Sequence, residues 1–149
     1  MQVRRVEHAD WDEWLQMRSA LWPNTSPDEH RAEMEEYSMP NAKVATFVAM
    51  RDDGTLGGFL EAGLRPYADG CDTKPVGYIE GWYVDADLRR TGIGGQLVRA
   101  AEQWAAEQGC QEMASDCLID NAVSFKSHLA LGYEEAERLI HFRKSLWLG

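Results

Sequence analysis

The stretch Tyr78–Gly94, Tyr-Ile-Glu-Gly-Trp-Tyr-Val-Asp-Ala-Asp-Leu-Arg-Arg-Thr-Gly-Ile-Gly, constrains this chain more than any other. Residues Val76 to Val84 are apolar and aromatic, broken by Glu80, and predict a strand. Its two-residue period places Val76, Tyr78, Glu80, Trp82 and Val84 on one face, with Gly81 marking a bulge. A basic, glycine-punctuated loop follows, Arg89-Arg90-Thr91-Gly92-Ile93-Gly94, and helical spacing then runs to Gln108. A loop of this kind at a helix start is an anion cradle. Its backbone N–H groups lack intrahelical partners, the helix dipole is positive there, and glycines let a phosphate approach closely. The spacing Arg89-x-x-Gly92-x-Gly94 is not the dinucleotide fingerprint, and no Gly-Lys-Ser/Thr closes a Walker A loop.

The elements around this stretch follow from periodicity and turn chemistry. Gln2 to Val6 alternates and predicts a short strand. Asp10 with Glu13 has capping-box spacing, and Trp11, Trp14, Met17 and Leu21 recur on one helical face. Pro23 stops that helix; Ser26-Pro27-Asp28-Glu29 starts a second, ending near Ser38-Met39-Pro40. Val44 to Met50 and Leu56 to Leu64 predict strands joined at Asp52-Asp53-Gly54, with a bulge or close contact at Gly57-Gly58. After Gly92, the residues Ile93, Leu97, Ala101, Trp104 and Ala105 form one apolar stripe, and Gly109 suits the position past the helix end. A short strand around Met113, a helix capped by Asp120 or Asn121, and a last strand or two from Glu137 to Leu148 complete the chain. The order βααβββαβαβ predicts an α+β domain, a mixed sheet flanked by helices, over residues 1–149.

Composition narrows the function classes. The net charge of −10 repels nucleic acid and attracts cationic ligands, although acidity also serves solubility alone. No apolar run approaches the ~20 residues of a membrane span. Met1-Gln2-Val3-Arg4-Arg5 leads into Glu7 and Asp10 with no apolar signal core, so the expected location is the cytoplasm. Cys71, Cys110 and Cys117 are odd in number and contain no Cys-x-x-Cys pair, so they read as buried small apolar residues in a reducing compartment. His8, His30 and His141 have no metal-ligand spacing, and no metal is expected.

The Arg89–Gly94 loop resembles the acyl-CoA pyrophosphate loop of the GNAT superfamily of N-acyltransferases, Arg/Gln-x-x-Gly-x-Gly/Ala. Asn121-x-x-Ser124-x-x-x-His128-x-x-x-Gly132-Tyr133 is similar to the closing helix of those proteins, and Glu80 stands where many carry a general-base carboxylate. One branch is closer still, the chromosomal-type aminoglycoside 6'-N-acetyltransferases. Leu21-Trp22-Pro23, Tyr67 before Gly70-Cys71-Asp72, Glu80-Gly81, Glu112-Met113-Ala114-Ser115-Asp116, Ala130-Leu131-Gly132 and Glu137-Arg138 look like that branch's signatures. The resemblance implies the GNAT fold, a mostly antiparallel mixed sheet with about four helices and a splayed strand pair that holds acetyl-CoA. It implies a 6'-N-acetyltransferase that confers aminoglycoside resistance by direct transfer in a ternary complex, acting as a homodimer. By the same resemblance Trp82, Tyr83, Val84, Arg89, Arg90, Thr91, Gly92, Ile93, Gly94 and Asn121 would bind acetyl-CoA. Trp22, Thr25, Tyr67, Glu80, Asp116 and Glu137 would contact the substrate, and Glu80, Asp116 and His128 would carry the chemistry.

Acetyl transfer needs a pinned and polarised thioester, a neutral amine and a proton for the leaving thiolate. Glu80 is either the carboxylate that binds and deprotonates the amine or half of a structural salt bridge. Asp116 either flanks the same cleft or caps a helix. Trp22 is either a core or lid aromatic or a wall of the substrate pocket. His128 stands where the superfamily commonly has a tyrosine; it, Tyr83 or Tyr133 could protonate the thiolate, or solvent could do so. An acetyltransferase for another amine and a non-catalytic acetyl-CoA sensor are the competing readings.

Overall fold

The computed structural model describes residues 1–39 and 43–147. The chain divides into two compact units, Met1–Asp116 and Cys117–Gly149. The first contains β1 (Gln2–Arg5), α1 (Trp11–Leu21), α2 (Pro27–Ser38), β2 (Val44–Met50), β3 (Leu56–Arg65), β4 (Val76–Val84), α3 (Ile93–Glu107) and β5 (Met113–Ala114). The second contains α4 (Ala122–Ala130). The sheet runs in chain order β1-β2-β3-β4-β5, antiparallel except for the parallel β4–β5 pair. This is the mixed, mostly antiparallel sheet expected. Strands β4 and β5 pair only at Gly77–Met113 and Tyr78–Ala114, so they part beyond Tyr78.

Local chemistry explains most boundaries. Ser26 caps α2 by accepting the Glu29 N–H at 3.2 Å, with Pro27 at the first turn. That helix stops at Ser38; Pro40, included in its predicted end, lies outside the described residues. The β2–β3 turn closes through Gly54 at φ +89, and Asp53 accepts the Thr55 N–H at 2.9 Å. The predicted stripe of α3 is buried throughout: Ile93, Leu97, Ala101, Trp104 and Ala105 are each at most 5% exposed. α1 begins differently from its predicted capping box. The Asp10 carboxylate is held by Arg4 and the Glu7 N–H at 2.8 Å, and Glu13 instead accepts the Leu56 N–H at 2.8 Å at the start of β3.

Two bulges shape the sheet. Ala49 pairs with Gly58 and Met50 with Leu56, so Gly57 is the extra residue, as its glycine pair suggested. Glu61 pairs with Gly81 and Ala62 with Ile79, so Glu80 is the extra residue of β4. That bulge corrects the predicted single face of β4. Inserting one residue inverts the alternation beyond it, so Trp82 and Val84 turn to the α3 side, where a Cβ on Gly94 would lie 3.2 Å from the Trp82 ring. Gly81 faces the other side, against Trp22. On that side Trp14, Met17 and Met34 of α1 and α2 pack on Val48, Leu56 and Phe59. Each large side chain buried there contributes about 1.5–3 kcal/mol.

Two further expectations are corrected. No strand occurs among the described residues after α4: Glu137 to Trp147 carries no regular element, and Leu148 lies outside them. An extended segment becomes a strand only through a neighbour's hydrogen bonds, and the second unit contains only α4. The cysteines are not buried: Cys71 and Cys110 are half-buried and Cys117 is exposed, all as free thiols.

Candidate active site

The bulge at Glu80 is the centre of the first unit's candidate site. As the extra residue of β4, Glu80 is aimed by the local kink rather than by the regular pleat. Its carboxylate takes a two-pronged ion pair from Arg65, the last residue of β3: Nε donates to Oε2 at 3.0 Å and Nη2 to Oε1 at 2.6 Å. The Arg65 guanidinium also lies over the Tyr78 ring, 3.5 Å from its centroid. The Tyr78 hydroxyl donates to Asp116 Oδ2 at 2.5 Å. Burial, and then that bond and the Asp116 charge, push the Tyr78 phenol well above its usual value, so it stays a donor. Glu80 and Asp116 are therefore brought into one cluster with a guanidinium and a phenol between them. The capping role for Asp116 fails, because Asn121 caps α4 by accepting the Ser124 N–H at 3.0 Å.

Trp22 stands beside this cluster because a buried polar network holds it. It is the C-cap residue of α1 and is half-buried. A Cβ on Gly81 would meet Trp22 Cη2 at 2.4 Å, so only glycine leaves room for the indole next to Glu80. Beneath the ring, Arg18 lies 4.8 Å from its centroid and His30 stacks on it at 6.4 Å. Arg18 and Glu61 are each 1% exposed; Glu61 accepts from Arg18 Nε at 2.6 Å, Arg18 Nη2 at 2.8 Å and Trp14 Nε1 at 3.0 Å. Burial works against the charge on Arg18, but the bonds and charges of Glu61 and Glu33 outweigh it and raise its pKa. Arg18 Nη1 donates to His30 Nδ1 at 2.9 Å, which puts the His30 proton on Nε2, 3.3 Å from the Trp22 carbonyl that accepts it. Thr25 closes the turn after α1, its N–H on the Trp22 carbonyl at 3.2 Å. Tyr67 is 67% exposed in the β3–β4 loop and donates to Asp69 at 2.8 Å. Glu112 orders that loop by accepting the N–H groups of Asp72 and Thr73 at 2.9 and 2.8 Å.

At the far end of β4 the chain turns through Ala86–Leu88 into the basic loop. Arg89 is extended, Arg90 has φ +67 and Gly92, the N-cap of α3, has φ +88. Left-handed residues in such a loop turn successive N–H groups to one side, a concavity suited to an anion. Arg89, Arg90, Thr91 and Gly92 are exposed, and the first turn of α3 has no acidic residue to neutralise its dipole. Ile93 is buried, while Gly94 packs on Trp82 and Val84. Tyr83 stacks on Phe59 at 6.1 Å, and burial followed by its bond to Asp85 raises its phenol above the usual value.

In the second unit, His128 lies on α4 with Nδ1 2.7 Å from the Ser124 carbonyl. That approach requires a proton on Nδ1, so only the imidazolium could donate from Nε2. Tyr133 meets the His128 ring edge-on at 5.8 Å. Glu137 is exposed in the segment after α4.

The GNAT acetyltransferase family model matches residues 11–133. The chain belongs to the GNAT family. An aminoglycoside N(6')-acetyltransferase type 1 of Klebsiella aerogenes is 42% identical over 146 residues, 97% of this chain and 96% of its own. The structure of AAC(6')-Iy in complex with the bisubstrate analogue CoA-S-monomethyl-acetylneamine superposes with a TM-score of 0.91 at 39% identity, over 97% of this chain and 98% of that one. The apo 6'-N-acetyltransferase AAC(6')-IG of Acinetobacter haemolyticus gives 0.89 at 35% identity, over 98% and 99%. Acetyl-CoA is the co-substrate of this GNAT protein.

Sequence reasoning missed Arg65, Arg18 and Glu61. Alternation along β3 puts Glu61, Gly63 and Arg65 on one face. Meeting Glu80 also needs the β3–β4 register, which the bulge shifts.

Proposed function

We propose that this chain is an acetyl-CoA-dependent aminoglycoside 6'-N-acetyltransferase, one catalytic domain over residues 1–149, conferring resistance by direct transfer in a ternary complex. The observation that carries the reading is the Glu80 bulge. It sets a half-buried carboxylate on the strand that runs into the Arg89–Gly94 loop, so amine and thioester are gripped by one element. The family model spans both compact units, which supports a single domain.

In this mechanism the loop and the first turn of α3 hold the pyrophosphate. The backbone from Trp82 to Val84 pairs with the pantetheine and polarises the thioester carbonyl. Glu80 and Asp116 grip ammonium groups, with Trp22, Thr25 and Tyr67 as the wall. Glu80 takes the 6'-amine proton, directly or through a water. The freed nitrogen pair attacks the carbonyl carbon, the C–N bond forms, the C–S bond breaks, the nitrogen sheds its remaining extra proton to water to leave the neutral amide, and the thiolate receives a proton. His128 as imidazolium, or Tyr133, supplies that proton. The protein works as a cytoplasmic homodimer that binds neither nucleic acid nor membrane.

Thiol release from acetyl-CoA, measured with kanamycin, spermidine and a peptide amine, tests the reading. Turnover with kanamycin and acetylation at the 6' nitrogen by NMR are expected. Turnover with spermidine or the peptide alone would reassign the substrate, and tight acetyl-CoA binding with no turnover would make the protein a sensor.

A further inference from the structure

The carboxylate assigned to the substrate's amine already has a cation on it. Arg65 meets Glu80 with both a 3.0 Å and a 2.6 Å bond, and its plane covers the Tyr78 ring at 3.5 Å. Glu80 and the Tyr78-bound Asp116 both contribute charge at this guanidinium, after the Glu80 hydrogen bond itself. Arg65 therefore sits where a substrate ammonium would sit, between the two acids. It is not locked there. Its side chain is 42% exposed and ends a strand, so the guanidinium can swing into water without breaking the sheet. The pair of Arg18 on α1 with Glu61, four residues before Arg65 on β3, contrasts with it: both members are 1% exposed and also bonded to Trp14, Glu33 or His30. One pair is built to stay, the other to open.

We propose that Arg65 is a specificity-determining residue, an internal cation that occupies the Glu80 subsite in the free protein and admits only amines carrying enough further positive charge to displace it. This rests on the reading of Glu80 as the amine-gripping carboxylate. Binding then exchanges one ion pair for another at Glu80, so a single ammonium gains little there. A polycation gains through its other ammonium groups, on Asp116 and on the acidic surface, and those gains displace the arginine. The device rejects small monoamines, which would otherwise reach the thioester and consume acetyl-CoA. The cation–π contact gives the guanidinium a defined resting place, so the competitor is preorganised rather than one of many mobile surface charges.

The test compares wild type and Arg65→Gln for kcat/KM with kanamycin, a polycation, and with 6-amino-6-deoxyglucose, a monocation. Using the ratio of the two cancels any common loss from a less well oriented Glu80. The ratio is expected to narrow by about tenfold or more in the variant, chiefly because the monoamine's KM falls, while the KM for acetyl-CoA stays unchanged. Arg65→Lys keeps the charge but loses the fork and should fall between the two. Should Arg65→Gln fail to fold, Arg65→Lys carries the measurement alone. An unchanged or widened ratio in a folded variant overturns the proposal. A wild type that acetylates neither compound overturns the functional reading itself, so the two failures are distinguishable.

Discussion

A carboxylate on a bulge is worth more to chemistry than the same residue on a regular strand, because the pleat no longer dictates where it points. Glu80→Gln should lower kcat for an aminoglycoside by about 100-fold or more through loss of the proton acceptor. Isothermal calorimetry should find acetyl-CoA affinity unchanged, and full turnover by the variant would remove Glu80 from the mechanism. Asp10 tests the fold's response to acid. Burial works against its charge, but the bonds from Arg4 and the Glu7 N–H outweigh it and hold its pKa below the usual carboxylate value. The folded pKa is thus below the unfolded one. The stability it contributes is complete above the unfolded value, near pH 4, and is lost as pH falls through the folded value. Asp10→Asn should lower Tm at neutral pH and flatten its decline below about pH 4. Parallel Tm–pH curves for the two proteins would show that the Arg4 pair contributes nothing.

Two glycines control elements. Gly92 is at φ +88 with open space around its missing Cβ, so its constraint is backbone conformation and access rather than packing. Gly92→Asp should abolish acetyl-CoA binding, because a carboxylate in the cradle repels pyrophosphate and a side chain strains the turn. Tight binding by a folded variant, measured by calorimetry, would remove the loop from the cofactor site. Gly81 is limited by space, with Trp22 Cη2 only 2.4 Å from any added Cβ. Gly81→Ala should cost about 1–3 kcal/mol in denaturant unfolding and raise KM for the aminoglycoside as the indole is pushed off the bulge. Adding Trp22→Leu should restore stability but not KM. Recovery of both would make Trp22 a packing residue only.

At the scale of the molecule, the second unit carries most of the exposed large apolar side chains among the described residues. Leu139, Ile140, Phe142, Leu146 and Trp147 are 61–91% exposed in a segment without regular structure. Such a run in a chain of charge −10 is normally covered, and a second copy is the proposed cover. Light scattering at micromolar concentration should give twice the 16.9 kDa chain mass; a monomer mass would exclude the dimer.

What the sequence determined by itself was local. Helix stripes, the Ser26 and Asn121 caps, the glycines at 54, 57, 92 and 109 and the basic loop all follow from interactions within a few residues, and each signal is complete in the chain. Glu80 was legible as well, since a lone acid in an apolar strand demands a reason. The tertiary structure decided which partner each group meets. Bulge register turned Trp82 and Val84 away from Glu80's face, brought Arg65 onto it, and linked Asp116 to it through Tyr78. Those contacts join residues 15 and 38 positions apart, and one inserted residue in a strand is enough to change them all. The expected last strand failed for the same reason: strand pairing is a property of two segments, and one sequence segment read alone does not contain its neighbour.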